Sequence, residues 1–347
     1  MIIYIILVIQ IIFLSLVKSL KKQSLICSIF MIGILSLRDI RVGKDLENYL
    51  EVFFNFSNLE IEKLMKINME KGYLILNKII YFISSNERMF IFIISFILIV
   101  LLKKWIDNDS KIVWLSYFIF VTFGYYFPFF NIIRQTLAML ILLLSLKSIK
   151  KRNFFHFFIY YLIAINFHYT ALFFILLYFI FPIKINLKYY FYIMVLSLSN
   201  IIIGFKVIEF IIGIIPKYTV RYKEKIIFGQ GLKLWIFLFL IFTIVFFIYL
   251  KKKNERNIEC LQVYIHMLGI AVFLQGLAYN FSLFARIVNY FSIALVMLIP
   301  NLIFSTKNKN LRKIIIFIVC LFGGAYFAII LRENLDGVVP YILNKNI

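Results

Sequence analysis

The sequence predicts an all-α polytopic integral membrane protein with about twelve transmembrane helices and an additional re-entrant or interfacial helix on its outer side. Two observations carry this prediction. Hydrophobic residues make up 63% of the 347 residues, with 41 Phe and 22 Tyr, and the mean hydropathy is +0.96. This is more apolar surface than the core of a soluble protein of this length can hide. In addition, short clusters of Lys and Arg separate the apolar runs.

These basic clusters predict the topology. They hold more than half of the 38 basic residues, and they are Lys18 to Lys22, Lys103 to Lys111, Lys147 to Arg152, Lys184 to Lys188, Lys251 to Arg256 and Lys307 to Lys313. Because cytoplasmic loops collect Lys and Arg, these loops are predicted inside and both termini outside. The formal net charge of +22 is then mainly an orientation signal, and no nucleic-acid partner is expected.

Each predicted span is an apolar run between two clusters, and a helix needs about 20 residues to cross the hydrocarbon core. The predicted spans are 2–17, 24–37, 88–102, 112–130, 133–149, 153–167, 169–183, 188–204, 232–250, 259–279, 286–304 and 314–331. The stretch 153–183 is interpreted as two helices interrupted near His168, since one long helix would invert the later loops. For the same reason, 72–83 is interpreted as an interfacial or re-entrant helix.

The whole chain, 1–347, is thus predicted to be a single transmembrane domain with three outer segments. Outer loop 38–71 precedes the helix at 72–83 and is rich in charged residues. The apolar stretches of loop 205–231 favour a position on the membrane surface. The tail 332–347 completes the outer side.

Isolated ionisable residues at the outer ends of spans are the first candidates for function, because a charge near hydrocarbon is costly without a partner or a task. Arg134 and Arg286 each begin a span, and His168 lies at an outer turn. The alternative is that both arginines extend to the membrane–water interface and that the histidine only makes hydrogen bonds at a helix break. His156 and His266 are interpreted as structural.

The cysteines and the D-x-D pattern do not indicate a functional site. Three scattered cysteines, Cys27, Cys260 and Cys320, predict neither a disulfide framework nor a metal site. The D-x-D pattern of Asp107 to Asp109 lies on a predicted cytoplasmic turn, which favours a loop or capping role. No metal site and no cofactor are expected.

Five segments, taken in order, resemble a known family. They are Gly43 to Tyr49, Glu70 to Tyr73 with Leu76 and Asn77, Arg134-Gln135 with Ala138, His168 to Ala171, and Arg286 with Tyr290-Phe291. The tail Pro340-Tyr341 is also similar to a recurring ending. Together they resemble the EpsG family of Wzy-like polysaccharide polymerases. Lys44 departs from the small polar residue that is usual there, and 205–231 has no counterpart.

The resemblance implies an enzyme that polymerises undecaprenyl-diphosphate-linked oligosaccharide repeat units into capsular, exopolysaccharide or O-antigen-like polymer. It implies the outer face of the bacterial cytoplasmic membrane as the location. The partners would be the lipid-linked oligosaccharide, the bilayer and other polysaccharide-assembly membrane proteins. A GT-C-like helical bundle is one arrangement compatible with these elements.

This chemistry gives the candidates roles. Arg134 and Arg286 are assigned to the lipid diphosphate, since a guanidinium binds two phosphate oxygens at once. The general base is sought among Asp45, Glu70 and His168, with Asp45 the first choice. Sugar or supporting contacts are expected from Asn48, Tyr49, Gln135 and Tyr290.

Both acidic candidates have structural alternatives. Asp45 and Glu47 would simply pair with Arg41 and Lys44 at the surface, whereas Glu70 would cap the helix that follows it.

Rival functions are also compatible with the sequence. A flippase of the same lipid-linked unit would line a path reached from both faces with its charges. A polysaccharide ligase would share the outer arginines, and sequence separates it from a polymerase only through the family resemblance. A membrane O-acyltransferase would need a cytoplasmic route for an acyl-CoA donor, and the sequence shows no constellation of inward-facing histidines.

Overall fold

The computed structural model describes residues 1–214, 231–252, 261–281 and 283–344. Within these ranges the chain is helical, and the only strand-like pairing is an isolated bridge between Arg38 and Leu343. The helices of the first half are α1 Ile2–Phe13, α2 Leu20–Ser36, α3 Leu46–Phe56, α4 Ile61–Lys66, α5 Lys71–Ile83, α6 Glu87–Asp109, α7 Val113–Thr122, α8 Pro128–Asn131 and α9 Ile133–Leu144. Those of the second half are α10 Leu146–Lys150, α11 Phe154–Phe167, α12 Ile175–Ile180, α13 Leu187–Ile214, α14 Leu232–Lys252, α15 Gln262–Ala278, α16 Leu283–Ser292, α17 Leu295–Phe304 and α18 Lys309–Glu333.

Several helices are apolar enough to cross a membrane. Among the described residues, five candidate spans have the required length and hydropathy, namely Glu87–Asp109, Leu187–Gly204, Leu232–Lys252, Phe284–Phe304 and Lys309–Glu333. Shorter apolar helices accompany them, including Ile2–Leu16 and Gln262–Ala278. The helical architecture of the described residues agrees with the fold class that the sequence predicts for a polytopic membrane protein. The number of crossings, about twelve, and their orientation remain predictions.

The chain breaks where the sequence indicates a break. Helix α11 ends at Phe167, and a 3-10 helix, Tyr169–Phe174, follows His168 before α12 begins. Helix α5 covers the stretch predicted as an interfacial helix. Helix α13 runs on to Ile214, so the first part of the predicted loop 205–231 is helical. Residues 215–230 of that loop lie outside the described residues.

The helices form two compact units. The first comprises Met1–Ser145, Phe155–Ala171 and Ile299–Ile347, and in it α2 packs on α6, α6 on α9, and both α1 and α18 on α7. The second comprises Leu146–Phe154 and Leu172–Leu298. At its centre α15, which is buried along most of its length, contacts α13, α14 and α16.

In the first unit, the C-terminal tail holds the loop that leads into α3. The Asp39 amide donates to the Ile342 carbonyl at 2.9 Å, and the Gly43 amide donates to the Gly337 carbonyl at 2.9 Å. The buried Asn131 side chain joins both segments, since its Oδ1 accepts from the Lys44 amide and its Nδ2 donates to the Asp336 carbonyl. The tail therefore fixes the start of α3 by hydrogen bonds.

The D-x-D residues have structural roles. Helix α6 continues through Asp109, so the residues end a helix and do not form a loop. Asp107 pairs with Lys103 one turn earlier, and the Asn301 side chain donates to the Asp109 carbonyl at 2.8 Å.

Candidate functional site

Three of the residues chosen from the sequence meet in the first unit. Glu70 forms an ion pair with Arg134 through Oε2, and its Oε1 lies 3.0 Å from Nδ1 of His168. The Glu70 side chain is only 5% exposed, that of His168 is 17% exposed and that of Arg134 is 30% exposed. The carboxylate is therefore buried between its partners, and part of the guanidinium stays accessible. We call these three residues the carboxylate cluster.

Glu70 lies directly before α5, and its position as N-cap suggests a capping role. Its side chain makes no capping hydrogen bond to the first turn. Both carboxylate oxygens are directed to Arg134 and His168 instead, so Glu70 occupies the N-cap position without a side-chain capping bond.

Close contact between two helices brings His168 to Glu70. A Cβ atom on Gly72 would lie 2.8 Å from the backbone oxygen of Asn166, closer than real Cβ contacts. Only glycine therefore lets the first turn of α5 approach the end of α11 this closely. Since α11 ends at Phe167, the next residue, His168, projects at this contact.

Arg134 is placed by the start of α9. The short helix α8 begins at Pro128, a residue well suited to the first turn of a helix, and α9 follows at Ile133. Arg134 thus occupies the first turn of α9, one turn after the buried Asn131 that holds the tail and the loop before α3. The same backbone supports both the loop and the cationic side chain.

The electrostatics of the cluster fix the charge of the carboxylate. Burial acts to raise the pKa of Glu70, but the hydrogen bond to His168 and the charge of Arg134 outweigh it and hold this pKa at about 2. Glu70 is therefore ionised at neutral pH.

An ionised carboxylate can only accept hydrogen bonds. The contact with His168 thus requires the proton on Nδ1, and in the neutral imidazole Nε2 is then the acceptor. This is the tautomer that a general base needs when a carboxylate orients it.

Tyr49 connects the cluster to α3. The residue is 9% exposed, and its side chain hydrogen-bonds Arg134 and packs edge-on against the ring of Tyr73, with ring centroids 5.7 Å apart. Asp45, the first choice for a base from the sequence, is half-buried at the N-cap of α3 and interacts electrostatically with Tyr49. Asp45 is therefore adjacent to the cluster through Tyr49, and it is His168 that contacts Glu70.

The remaining candidates lie in different environments. Asn48 is exposed on α3, and Gln135 is buried beside Arg134. Arg286 and Tyr290 belong to the second unit, where Arg286 is exposed in α16 and Tyr290 is buried.

The predicted surface pairing of Asp45 with Arg41 is not what the structure has, since Arg41 pairs with Asp39 at 2.7 Å.

Sequence reasoning misses two residues beside the cluster. Tyr73 and Asn77 are fully buried on α5, three and seven residues after Glu70. Residues with this spacing share one face of a helix, and that signal is present in the sequence. Both belong to the segment that carries the family resemblance, but Glu70 is the only carboxylate there and attracts attention first.

The arrangement combines an oriented imidazole with a partly accessible guanidinium. The first can accept a proton from a hydroxyl group, and the second can compensate a developing negative charge. Such a pair suits the transfer of a group from a phosphate leaving group to a hydroxyl acceptor.

Comparison with known proteins agrees with the resemblance in the sequence. No curated protein and no solved structure gives a significant match to this chain. The model of the EpsG family matches residues 21–343, which is nearly the whole chain and includes every candidate residue. The chain therefore belongs to the EpsG family, a family of Wzy-like polymerases.

Proposed function

We propose that this protein polymerises oligosaccharide repeat units that are linked to undecaprenyl diphosphate, on the outer face of the bacterial cytoplasmic membrane. Family membership supports a polysaccharide polymerase. The observation that carries the assignment of residues is the carboxylate cluster, in which Glu70 contacts both Arg134 and His168.

The transfer proceeds as a single displacement. Nε2 of His168 accepts the proton of the acceptor sugar hydroxyl, and that oxygen attacks the anomeric carbon of the donor. The bond between this carbon and the phosphate oxygen breaks, and its electron pair stays on the leaving undecaprenyl diphosphate. Glu70 holds the imidazole and stabilises the imidazolium that forms.

Arg134 compensates the charge that develops on the leaving diphosphate. Its partial exposure leaves guanidinium surface for a ligand, while Glu70 and Tyr49 fix its position. A planar guanidinium that stays charged is well suited to phosphate oxygens. Because the energy of the new bond comes from the donor's diphosphate linkage, the transfer needs neither a nucleotide sugar nor ATP.

Arg286 is a second candidate for the diphosphate, in its own unit. Its exposure in α16 is compatible with an anionic ligand. Loss of polymer in Arg286→Ala, with normal expression, is the expected result. Normal polymer from this variant would show that Arg286 does not bind the diphosphate, and loss of polymer in Arg134→Ala tests Arg134 separately.

The purified protein, reconstituted in lipid, is the direct test of this function. It is incubated with an undecaprenyl-diphosphate-linked oligosaccharide in the absence of nucleotide sugars and ATP. We expect a ladder of glycans that differ by whole repeat units. Movement of the intact lipid-linked unit across the bilayer without elongation would instead identify a flippase and refute the proposal.

A second acceptor separates polymerase from ligase. When preformed polymer on the lipid carrier is offered together with lipid-linked repeat units and a different lipid acceptor, a polymerase extends the chain by further repeat units. Transfer of the finished polymer without extension would refute the proposal in favour of a ligase.

A further inference from the structure

Helix α5 buries two polar groups next to the carboxylate cluster. The Tyr73 side chain is 0% exposed and that of Asn77 is 1% exposed. Neither the Tyr73 hydroxyl nor either amide atom of Asn77 has a hydrogen bond of normal geometry within the described part of the chain. The two side chains interact with each other through a weak hydrogen bond whose geometry falls short of a normal one.

This arrangement costs stability. A buried polar group without a partner destabilises the folded state by about 1 to 3 kcal/mol, whereas an apolar side chain of the same shape would not. Phe in place of Tyr73 and Leu in place of Asn77 would fill the same space without that cost. A buried polar group without a full partner in the fold calls for an explanation, such as a bound water, an ion or a role in function.

The surroundings indicate where a partner from outside the fold would bind. Tyr73 interacts electrostatically with Tyr49 and Arg134, and the ring of Tyr49 packs against its ring. Asn77 follows Tyr73 by one helical turn on the same face, and Glu70 precedes Tyr73 on that face. The two groups therefore lie at the side of the cluster that Arg134 and Tyr49 border.

We propose that the Tyr73 hydroxyl and the Asn77 amide form a polar subsite for a hydroxyl group of the acceptor sugar, and so help to select which hydroxyl is elongated. This inference rests on the proposed polymerase function. An amide offers two donors and an acceptor, and a phenol offers one of each, which matches the donor and acceptor capacity of a sugar hydroxyl. Tyr73 and Asn77 are positioning residues, and they take no proton in the reaction.

Such a subsite discriminates strongly between acceptors. A site built to hydrogen-bond a hydroxyl rejects the analogue that lacks it, because the polar groups of the site are then left unpaired. A bound water would present the same chemistry, but it would not distinguish one acceptor hydroxyl from another.

The test compares Tyr73→Phe and Asn77→Leu with the wild type in the elongation assay, using the natural acceptor and a set of acceptors that each lack one hydroxyl. We expect unchanged or raised unfolding temperatures and about a tenfold or greater fall in kcat/KM for the natural acceptor. We also expect one deoxy acceptor to be poor for the wild type, with this penalty greatly reduced in the variants. Tyr81→Phe makes the same change on the same helix and should leave both properties unchanged.

Three results would overturn the inference. A lowered unfolding temperature in Tyr73→Phe would show that the hydroxyl has a structural partner. Full elongation by both variants would show that the groups do not serve the reaction. An equal loss with every deoxy acceptor would assign the groups to a bound water. By contrast, absence of elongation by the wild type itself would refute the proposed function and not specifically this subsite.

Discussion

At the scale of single residues, Glu70 holds the carboxylate cluster together, because its side chain contacts both other members. Its charge orients His168 and fixes Arg134. Both contacts are long-range in sequence, since His168 lies 98 residues and Arg134 lies 64 residues after Glu70. The residue is thus a positioning group whose loss should affect both stability and turnover.

Glu70→Gln keeps the shape of the side chain and removes its charge. Arg134 then lies partly buried without its counter-ion, so we expect a loss of roughly 3 kcal/mol in the free energy of unfolding. We also expect elongation to fall by about 10- to 100-fold, as when other orienting partners of a functional histidine are lost. Thermal unfolding and the elongation assay measure the two effects.

Glu62→Gln is the matched control, because Glu62 pairs with Lys66 on an exposed surface of α4. Exposed pairs contribute little to stability, so this variant should behave like the wild type. Equal effects of the two substitutions would refute a special role for Glu70.

The pKa of Glu70 also predicts a pH dependence of stability. This pKa is about 2 in the folded protein, below the ordinary value of 4.5. The carboxylate therefore stabilises the fold fully above about pH 4.5, and this contribution is lost as the pH falls from there towards 2. Unfolding temperatures measured across that range should fall more steeply for the wild type than for Glu70→Gln, and parallel curves would contradict the assigned pKa.

The residues of the cluster can be found from the sequence, but their relation cannot. Arg134 and His168 are candidates because charged or polar groups at the ends of apolar runs are costly without a role. Glu70 is a candidate as a carboxylate of the outer segment that carries the family resemblance. The preference for Asp45 rests on neighbouring residues in the loop, whereas the contacts of His168 depend on helices that are distant in sequence. Pairing of this kind follows from tertiary packing and cannot be read from local patterns.

At the scale of elements, the contact between α5 and α11 positions the site. The sequence indicates both the helix at 72–83 and the interruption near His168, since apolar runs and topology constrain them. No local pattern predicts that the two elements touch at Gly72, because a lone glycine is compatible with a turn, a cap or a close approach. The close approach is visible only once the neighbouring backbone of Asn166 is known.

Gly72→Ala tests this contact. The added methyl group would lie 2.8 Å from a backbone oxygen and 3.0 Å from a backbone carbon of Asn166, so the helices must separate. We expect a destabilisation of about 1 to 3 kcal/mol and reduced elongation, because His168 moves away from Glu70.

Gly33→Ala in α2 is the control, since a Cβ atom there meets nothing within 4 Å. In a helix this change should be neutral or stabilising, by up to about 1 kcal/mol. Normal stability and activity of Gly72→Ala would contradict the proposed role of the contact.

The contacts of the C-terminal tail, like that of Gly72, cannot be predicted from local sequence patterns. The sequence predicts 332–347 to lie outside, and the structure pairs this segment with the loop before α3 through backbone hydrogen bonds and Asn131. Backbone pairing between distant irregular segments leaves no periodic pattern, so local sequence cannot link the tail to the loop.

At the scale of the whole molecule, membership of the EpsG family and the apolar helices establish a membrane protein. Composition alone predicts that class, because a soluble core of this size cannot bury so large an apolar fraction. The number of crossings is harder to predict, since short helices such as α7 and α12 do not reveal whether they span. The basic clusters supply an orientation that can be tested.

Single cysteines in a variant without the natural Cys27, Cys260 and Cys320 test that orientation. Glu47→Cys lies on the predicted outer side and Lys21→Cys on the predicted inner side, and both native side chains are exposed. In intact cells, a membrane-impermeant thiol reagent should label position 47 and leave position 21 unlabelled until the cells are opened. The reverse pattern would overturn the topology.

The central claim is that the carboxylate cluster elongates a lipid-linked glycan. Its most direct test is the rate at which repeat units are added in proteoliposomes by the wild type, by His168→Gln and by Lys251→Ala, a change at an exposed residue of α14. We predict a glycan ladder from the wild type and from Lys251→Ala, and a loss of about 100-fold or more from His168→Gln at equal protein levels. A ladder of normal rate and length from His168→Gln would contradict the claim.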